Sequence, residues 1–283
     1  PKVNIIKDNA FYGCSAMKTF EVDVCREVGK SALEGCSSLK KIDLQSGKYG
    51  DCVFKNCTSA ETIIIYGGMD KTPVGMFSGC EKLVRVMGDL SKVAIVSENT
   101  FTDCKALTQL NLPSAVIIED AAFSGCESLK AISDGDIQAE DFGDKSFYGC
   151  KSLEQKVNTS ASTIGASAFE ASGITELYID GTVGNTIVIG AKAFAKCPNL
   201  KIAEIDAATD IKYSVGAGVF EVGQATDGTG TVECITPVYD TLPENNAFYE
   251  AGYGVVPYVF DGTYVCYAFS YTGGAAIKWC KDK

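Results

Sequence analysis

The chain contains no histidine. That absence removes Ser-His-Asp and Cys-His catalysis, imidazole metal ligands and histidine pH switches together. No CxxC pair, GxSxG elbow, phosphate-binding loop or GxGxxG followed by an acidic residue occurs either. Positive charge is in short supply, with 25 Lys and Arg against 36 Asp and Glu and a net charge of −11. A nucleic-acid backbone is thereby excluded as a partner, and an anionic membrane surface with it. No apolar run approaches the roughly 18 residues a membrane span needs, so no membrane insertion by this chain is expected. The chain opens at Pro1 without Met and without a signal-peptide pattern. It is read as a processed or trimmed ectodomain, for which a missing signal says nothing about export.

What the chain has is a phrase repeated nine times. An aromatic residue or Leu is followed by two residues and then Cys, with Leu three later in most copies. The copies are Phe11–Cys14, Leu33–Cys36, Phe54–Cys57, Phe77–Cys80, Phe101–Cys104, Phe123–Cys126, Phe147–Cys150, Phe169–Ser172 and Phe194–Cys197. The Cys-position spacings are 22, 21, 23, 24, 22, 24, 22 and 25. A fixed period of this size means a solenoid, in which no single repeat buries its own apolar face. The 283 residues, 46% of them hydrophobic, then form an elongated body rather than one or two globules.

Residues 28–45 show one repeat whole. Leu39, Ile42 and Leu44 form an L-x-x-I-x-L core whose last part alternates apolar and polar, a short strand with one face buried. Gly35 supplies a turn before the Cys. The Ala32-Leu33 pair is too short for a helix and reads as a turn or 3₁₀ segment on the opposite, convex side. Each repeat is thus one strand, one turn and one return. Stacked strands make a parallel sheet on the concave side.

Thirteen Cys would suggest disulfides in a secreted chain. Eight of them share one repeat position: Cys14, Cys36, Cys57, Cys80, Cys104, Cys126, Cys150 and Cys197. These are expected to line the solenoid interior as small apolar fillers. Bridges between adjacent rungs are the alternative, with side-chain directions that suit them poorly. Of the Cys outside this ladder, Cys266 with Cys280 is the favoured pair for stapling the C-terminal end, and Cys234 is the other candidate.

The pattern I-x-x-x-A-F-x-G-C-x-x-L-x-x-I-x-L resembles the BspA-like, or Treponema-type, leucine-rich repeats over roughly residues 5–206. The A-F-x-G-C core stands nearly verbatim at Ala10–Cys14 and Ala122–Cys126. The resemblance implies a leucine-rich-repeat right-handed superhelix. It also implies a surface-exposed or secreted protein, often of host-associated microbes, that binds other proteins. It carries no catalytic residues over.

The array is assigned to residues 1–206, as about nine repeats of 21–25 residues. Residues 207–283 are assigned to degenerate repeats and a β-rich C-terminal cap, which a solenoid's open end requires. Within it Asp261-Gly262, between alternating apolar residues, signals a two-residue hairpin. The N-terminal end shows no separate cap, which leaves the Phe11/Met17 edge open.

Outward strand positions line the concave face. They include Thr19, Glu21, Asp23, Lys41, Asp43 and Gln45, then Thr62, Ile64, Tyr66, Arg85 and Met87. Gln109, Asn111, Ala131, Ser133, Gln155 and Val157 follow, and Glu176, Tyr178, Asp180, Ile202, Glu204 and Asp206 close the series. The partner-binding candidates among them are Ile64, Tyr66, Arg85, Met87, Gln109, Asn111, Glu176, Tyr178, Asp180 and Glu204. Aromatic residues, Met and Arg are enriched at protein interfaces. The plain alternative is that Ile64 only strengthens a strand of three isoleucines. The strip of Glu176, Asp180, Glu204 and Asp206 suits a basic partner, or merely keeps the sheet solvated. Four carboxylates at Asp134, Asp136, Glu140 and Asp141 raise calcium, without EF-hand spacing. Asn56 and Asn158 head N-glycosylation patterns, with Asn56 expected to be inaccessible beside a ladder Cys. The C-terminal aromatics, Trp279 and Tyr271 among them, keep a carbohydrate-binding module open.

The expectation is therefore a monomeric, non-enzymatic, extracellular or cell-surface protein without cofactor. Its partner is expected to be a protein, a host matrix or surface protein above all, with a spacer or scaffold role as the alternative.

Overall fold

The computed structural model describes residues 3–180 and 186–200, Val219, and beyond these the strands Ile202–Asp206, Lys212–Val215, Val232–Ile235, Gly254–Phe260, Tyr264–Ser270 and Ala276–Asp282. Contacts divide the chain into two compact units: Pro1–Asp134 with Ser146–Leu153, and Gly135–Lys145 with Glu154–Lys283. Both are stacks of short parallel strands and turns. The fold is the repeat solenoid expected, and no helix occurs among the described residues.

In the first unit the L-x-x-I-x-L segments form a four-stranded parallel sheet of Glu21–Cys25, Lys41–Ser46, Thr62–Ile65 and Arg85–Met87. A single bridge from Gln109 to Ala131 continues the pairing where the strands shorten. In the second unit Val157–Thr159, Glu176–Asp180, Ile202–Asp206 and Val232–Ile235 pair in parallel. Ala276–Asp282 joins them, and Tyr264–Ser270 and Gly254–Phe260 follow antiparallel. That hairpin departs in detail from the expected two-residue turn. Phe260 pairs Tyr264, so three residues separate the strands, and Asp261-Gly262 lie outside the described residues.

The return segment holds more than the expected turn. Short strands precede most turns and pair rung to rung, as Ile5–Ile6 with Glu27–Val28, Ile95–Val96 with Ile117–Ile118, and Asp141–Phe142 with Thr163–Ile164, with single bridges at Tyr49 and Lys71 and the four-residue strands Thr186–Ile189 and Lys212–Val215 later in the series. After them comes a turn whose N–H groups alternate in direction. Thr100, Thr102 and Cys104 donate within their own rung, to Ser97, Asn99 and Phe101. Asn99, Phe101 and Asp103 donate to Asp120, Ala122 and Ser124 of the next rung at 2.7–2.9 Å. Backbone groups in a buried turn need partners, and the stack itself supplies them.

Two positions of each turn are left-handed. One is four residues before the last turn residue and one is that last residue, as in Asn99 (φ 56°) with Asp103 (φ 57°) and Ser167 (φ 55°) with Ala171 (φ 58°). The last position is Gly in Gly35, Gly79, Gly125 and Gly149. L-residues pay roughly 1–2 kcal/mol there. Other backbone N–H groups are met by acids. Asp8 Oδ1 accepts from Lys30 N at 2.8 Å, Asp51 Oδ1 from Val74 N at 2.9 Å and Asp144 Oδ1 from Ala166 N at 2.6 Å. Part of the acidic excess is therefore structural.

The core of each unit is columnar. Phe54, Phe77, Phe101, Phe123 and Phe147 stack near-parallel with centroids 5.0–5.8 Å apart, and Phe169 stacks on Phe194 at 5.4 Å. Beside this column runs the Cys ladder. Each thiol donates to the carbonyl of the ladder Phe or Leu one rung earlier. Cys36 reaches Phe11 O at 3.2 Å, Cys57 reaches Leu33 O at 3.3 Å and Cys80 reaches Phe54 O at 3.1 Å. Cys104 reaches Phe77 O at 3.2 Å, Cys126 Phe101 O at 3.0 Å, Cys150 Phe123 O at 3.1 Å and Cys197 Phe169 O at 3.0 Å. The same carbonyl accepts the ladder residue's N–H of its own rung, a Cys except at Ser172, so both lone pairs are used. The thiols are thus donors as well as fillers, and the ladder Cys form no disulfide. The side chains of Cys234, Cys266 and Cys280, the candidates for a C-terminal staple, lie outside the described residues. Cys14 departs from the expectation of a buried ladder. It is exposed, while every other Cys of the ladder is buried.

Three outcomes follow. Gly149 has φ +70° and open space where a Cβ would go, whereas Ala171 holds the equivalent left-handed position without being Gly. Gly149→Ala is expected to lower stability, and Ala171→Gly to raise it, by about 1 kcal/mol each, read as opposite shifts of the thermal midpoint. Burial pushes the thiols of Cys36 and Cys197 up to about 11 and Cys80 to about 12, and holds Cys57, Cys104, Cys126 and Cys150 well above the usual range. An unfolded thiol ionises near pH 8.5, so this contribution is complete below that pH. It is lost as pH rises towards the folded values, at up to about 1.4 kcal/mol per pH unit per thiol. Denaturant titrations are expected to show stability falling steeply above pH 9. At pH 8 iodoacetamide is expected to alkylate Cys14 in the folded protein and to reach the buried ladder only after unfolding.

Candidate binding face

Strand alternation decides which side chains leave the core. In Thr62–Ile65, Ile63 and Ile65 point inward and are fully buried, while Thr62 and Ile64 are half-buried on the outer side. Tyr66 follows at the strand's end, 39% exposed, its N–H donating to the Tyr49 hydroxyl at 3.1 Å. One rung on, Val86 turns inward between Arg85 and Met87, and Met87 is 47% exposed. Register sets Arg85 beside Thr62 and Met87 beside Ile64, with Asp43 on Ile64's other flank. Ile64, Tyr66, Arg85 and Met87 are therefore one cluster on one face of the first unit.

Its rim is polar. Lys41 Nζ lies 3.6 Å from Asp43 Oδ2, and Gln109 and Asn111 are exposed on the rung after Met87. Val84, 41% exposed, adds apolar surface beside them. The paired strand begins only at Arg85, so Val84 is not held to its parity. The signal was present in sequence: Val84, Val86 and Met87 are apolar at both parities.

The second unit carries the other candidates. Glu176 is half-buried and already neutralised, for Lys156 Nζ reaches its Oε2 at 2.7 Å and the Tyr178 hydroxyl donates to the same oxygen at 2.7 Å. Tyr178 and Asp180 stand in register with Glu204 and Asp206. The side chains of Asp180, Glu204 and Asp206 lie outside the described residues. Glu176 and Tyr178 thus satisfy each other as part of an ion pair.

Two outward assignments are reversed. Gln155 and Val157 face inward, Gln155 at 9% exposure and Val157 fully buried, while Lys156 and Asn158 face solvent. Leu153 here begins strict alternation instead of L-x-x-I, because the other parity would bury a lysine and an amide. Val157 pairs Ile137 on one side and Leu177 on the other. Asn56 is exposed, not shielded by its neighbouring Cys, and Asn158 is exposed on its strand. Among the described residues no three Asp, Glu or Cys side chains converge as metal ligands. The acidic loop at 134–141 thus offers no calcium cage. No helix there is long and apolar enough to cross a membrane.

A sequence model of the BspA type leucine rich repeat region matches in 6 copies, over residues 1–106 and 94–220. The chain belongs to this family. Solved structures of such repeats resemble it. The leucine rich cell surface protein of Faecalibacterium prausnitzii A2-165 is 23% identical over 74% of this chain and 76% of that one, with a TM-score of 0.46. A leucine-rich repeat protein of Bacteroides ovatus is 20% identical over 99% of this chain and 76% of that one, also at 0.46. The T. pallidum leucine rich repeat protein is 22% identical over 53% of this chain and 72% of that one, at 0.37. No curated protein matches this chain.

Outer and inner residues of this leucine-rich-repeat face are expected to differ sharply on truncation. Tyr66→Ala and Met87→Ala should each change unfolding free energy by less than about 0.5 kcal/mol. Ile63→Ala, one residue from Ile64 but fully buried, should cost about 2–5 kcal/mol in the same denaturant titration.

Proposed function

We propose that this chain is a protein-binding module of a cell-surface or secreted protein, acting in adhesion to a host or to other cells. The observation that carries the reading is the cluster of Ile64, Tyr66, Arg85 and Met87 on the outer side of a sheet. An apolar centre with a polar rim is the anatomy of a protein interface. The strands beneath are fixed by the core, so little ordering is lost when a partner docks. The family and its fold support a binding role rather than catalysis. The buried ladder thiols point the same way, since burial holds them protonated and away from any substrate. The Faecalibacterium protein's description as a cell surface protein supports the location. A monomer holding its partner through this one face is the simplest form of the module.

The test is surface plasmon resonance of the immobilised protein against a panel of host matrix and plasma proteins, beside a Tyr66→Ala, Met87→Ala double variant. At least one protein is expected to bind the native form and to lose tenfold or more on the variant. Equal binding to both would place the site elsewhere, and no binding at all would favour a spacer role.

A further inference from the structure

The 283 residues include only two arginines, Arg26 and Arg85, against 23 lysines. One of the two stands inside the exposed apolar cluster. Its single described hydrogen bond is a long one, from Nε to Thr62 Oγ1 at 3.4 Å. The two terminal guanidinium nitrogens have no partner among the described residues. The acid nearest in register on the outer face, Asp43, is held by Lys41. Elsewhere in the first unit Lys48, Lys71, Lys105 and Lys151 each reach a glutamate. A chain of net charge −11 has carboxylates to spare, yet leaves this guanidinium uncompensated on the strand that carries Met87, next to Thr62 and at the edge of the apolar cluster.

Resting on the binding reading above, we propose that this cluster recognises a protein segment presenting a carboxylate next to a large apolar side chain. The planar guanidinium offers paired N–H groups that match a carboxylate in a bidentate way, which a lysine does not. The neighbouring apolar side chain packs on Met87, Ile64 and Tyr66. Met adapts its shape to such a guest. Covering the cluster lowers the local dielectric and strengthens the ion pair, so the two contacts reinforce each other. A polyanion is disfavoured by the protein's net charge, and one local carboxylate is not. A partner with lysine at the same point meets an unpaired like charge, so the arginine also rejects.

The test is selection of random 12-residue peptides displayed on phage against the intact immobilised protein, followed by titration of the best synthetic peptide. Enriched sequences are expected to carry Asp or Glu within two residues of an aromatic residue, Leu or Met. Arg85→Glu and Asp→Asn (or Glu→Gln) in the peptide should each weaken binding at least tenfold. Arg85→Glu combined with a peptide Lys at the acidic position should restore it. Peptides that lose binding with Tyr66→Ala and Met87→Ala but are indifferent to Arg85→Glu would overturn this inference and leave the binding face standing. Peptides indifferent to all three substitutions, or no enrichment, would overturn both. Circular dichroism of each variant confirms that the fold is retained.

Discussion

Every other feature of this protein depends on one rung sitting on the next without slipping. The contact that enforces this is a thiol at one repeat position donating to the carbonyl one rung earlier. That carbonyl already accepts its own rung's N–H, so the second lone pair is spent along the stack. The stacked Phe rings alongside add burial, which is large but not directional. The thiol bond is weak but directional. Together they combine adhesion with register, and a one-residue slip in any strand would reverse every side chain it carries.

Register then produces the functional face. The same pairing that places Ile63 in the core, with Val86 half-buried beside it, places Ile64 and Met87 side by side on the outer side. No loop or helix is needed to build the cluster, because side chains 23 residues apart in sequence become neighbours through the period alone. The acidic residues divide into two populations. Asp8, Asp51 and Asp144 accept backbone N–H groups of the following rung, and others stay at the surface as solvated charge. Net charge therefore overstates how much acid is available to a partner.

The architecture was legible in the sequence because the period is physical: each repeat must present the same core set to its neighbours. Ser172, the single replacement among the nine ladder positions, shows what could have been read further. A filler requirement alone would admit Ala or Val, and the replacement is a small residue with a hydroxyl, which lies 3.5 Å from Cys197 Sγ. At Gln155 and Val157 the consensus spacing points outward and the residues themselves point the other way. Lys156 and Asn158 are poor core residues, and desolvation overrides the template. The two-residue strands of the second row had no sequence signal, since two residues are too few to show alternation. The Lys156–Glu176–Tyr178 contact was hidden because it joins residues 20 apart whose adjacency depends on strand register.

Raman spectroscopy of the S–H stretching band tests the central claim most directly. Ladder thiols that donate to carbonyls must show a band displaced to lower frequency than that of an alkanethiol in hydrocarbon, with an unshifted contribution no larger than Cys14 and the Cys outside the ladder supply. A band centred at the free-thiol frequency would reduce the ladder to apolar packing and remove the directional contact on which the register argument stands.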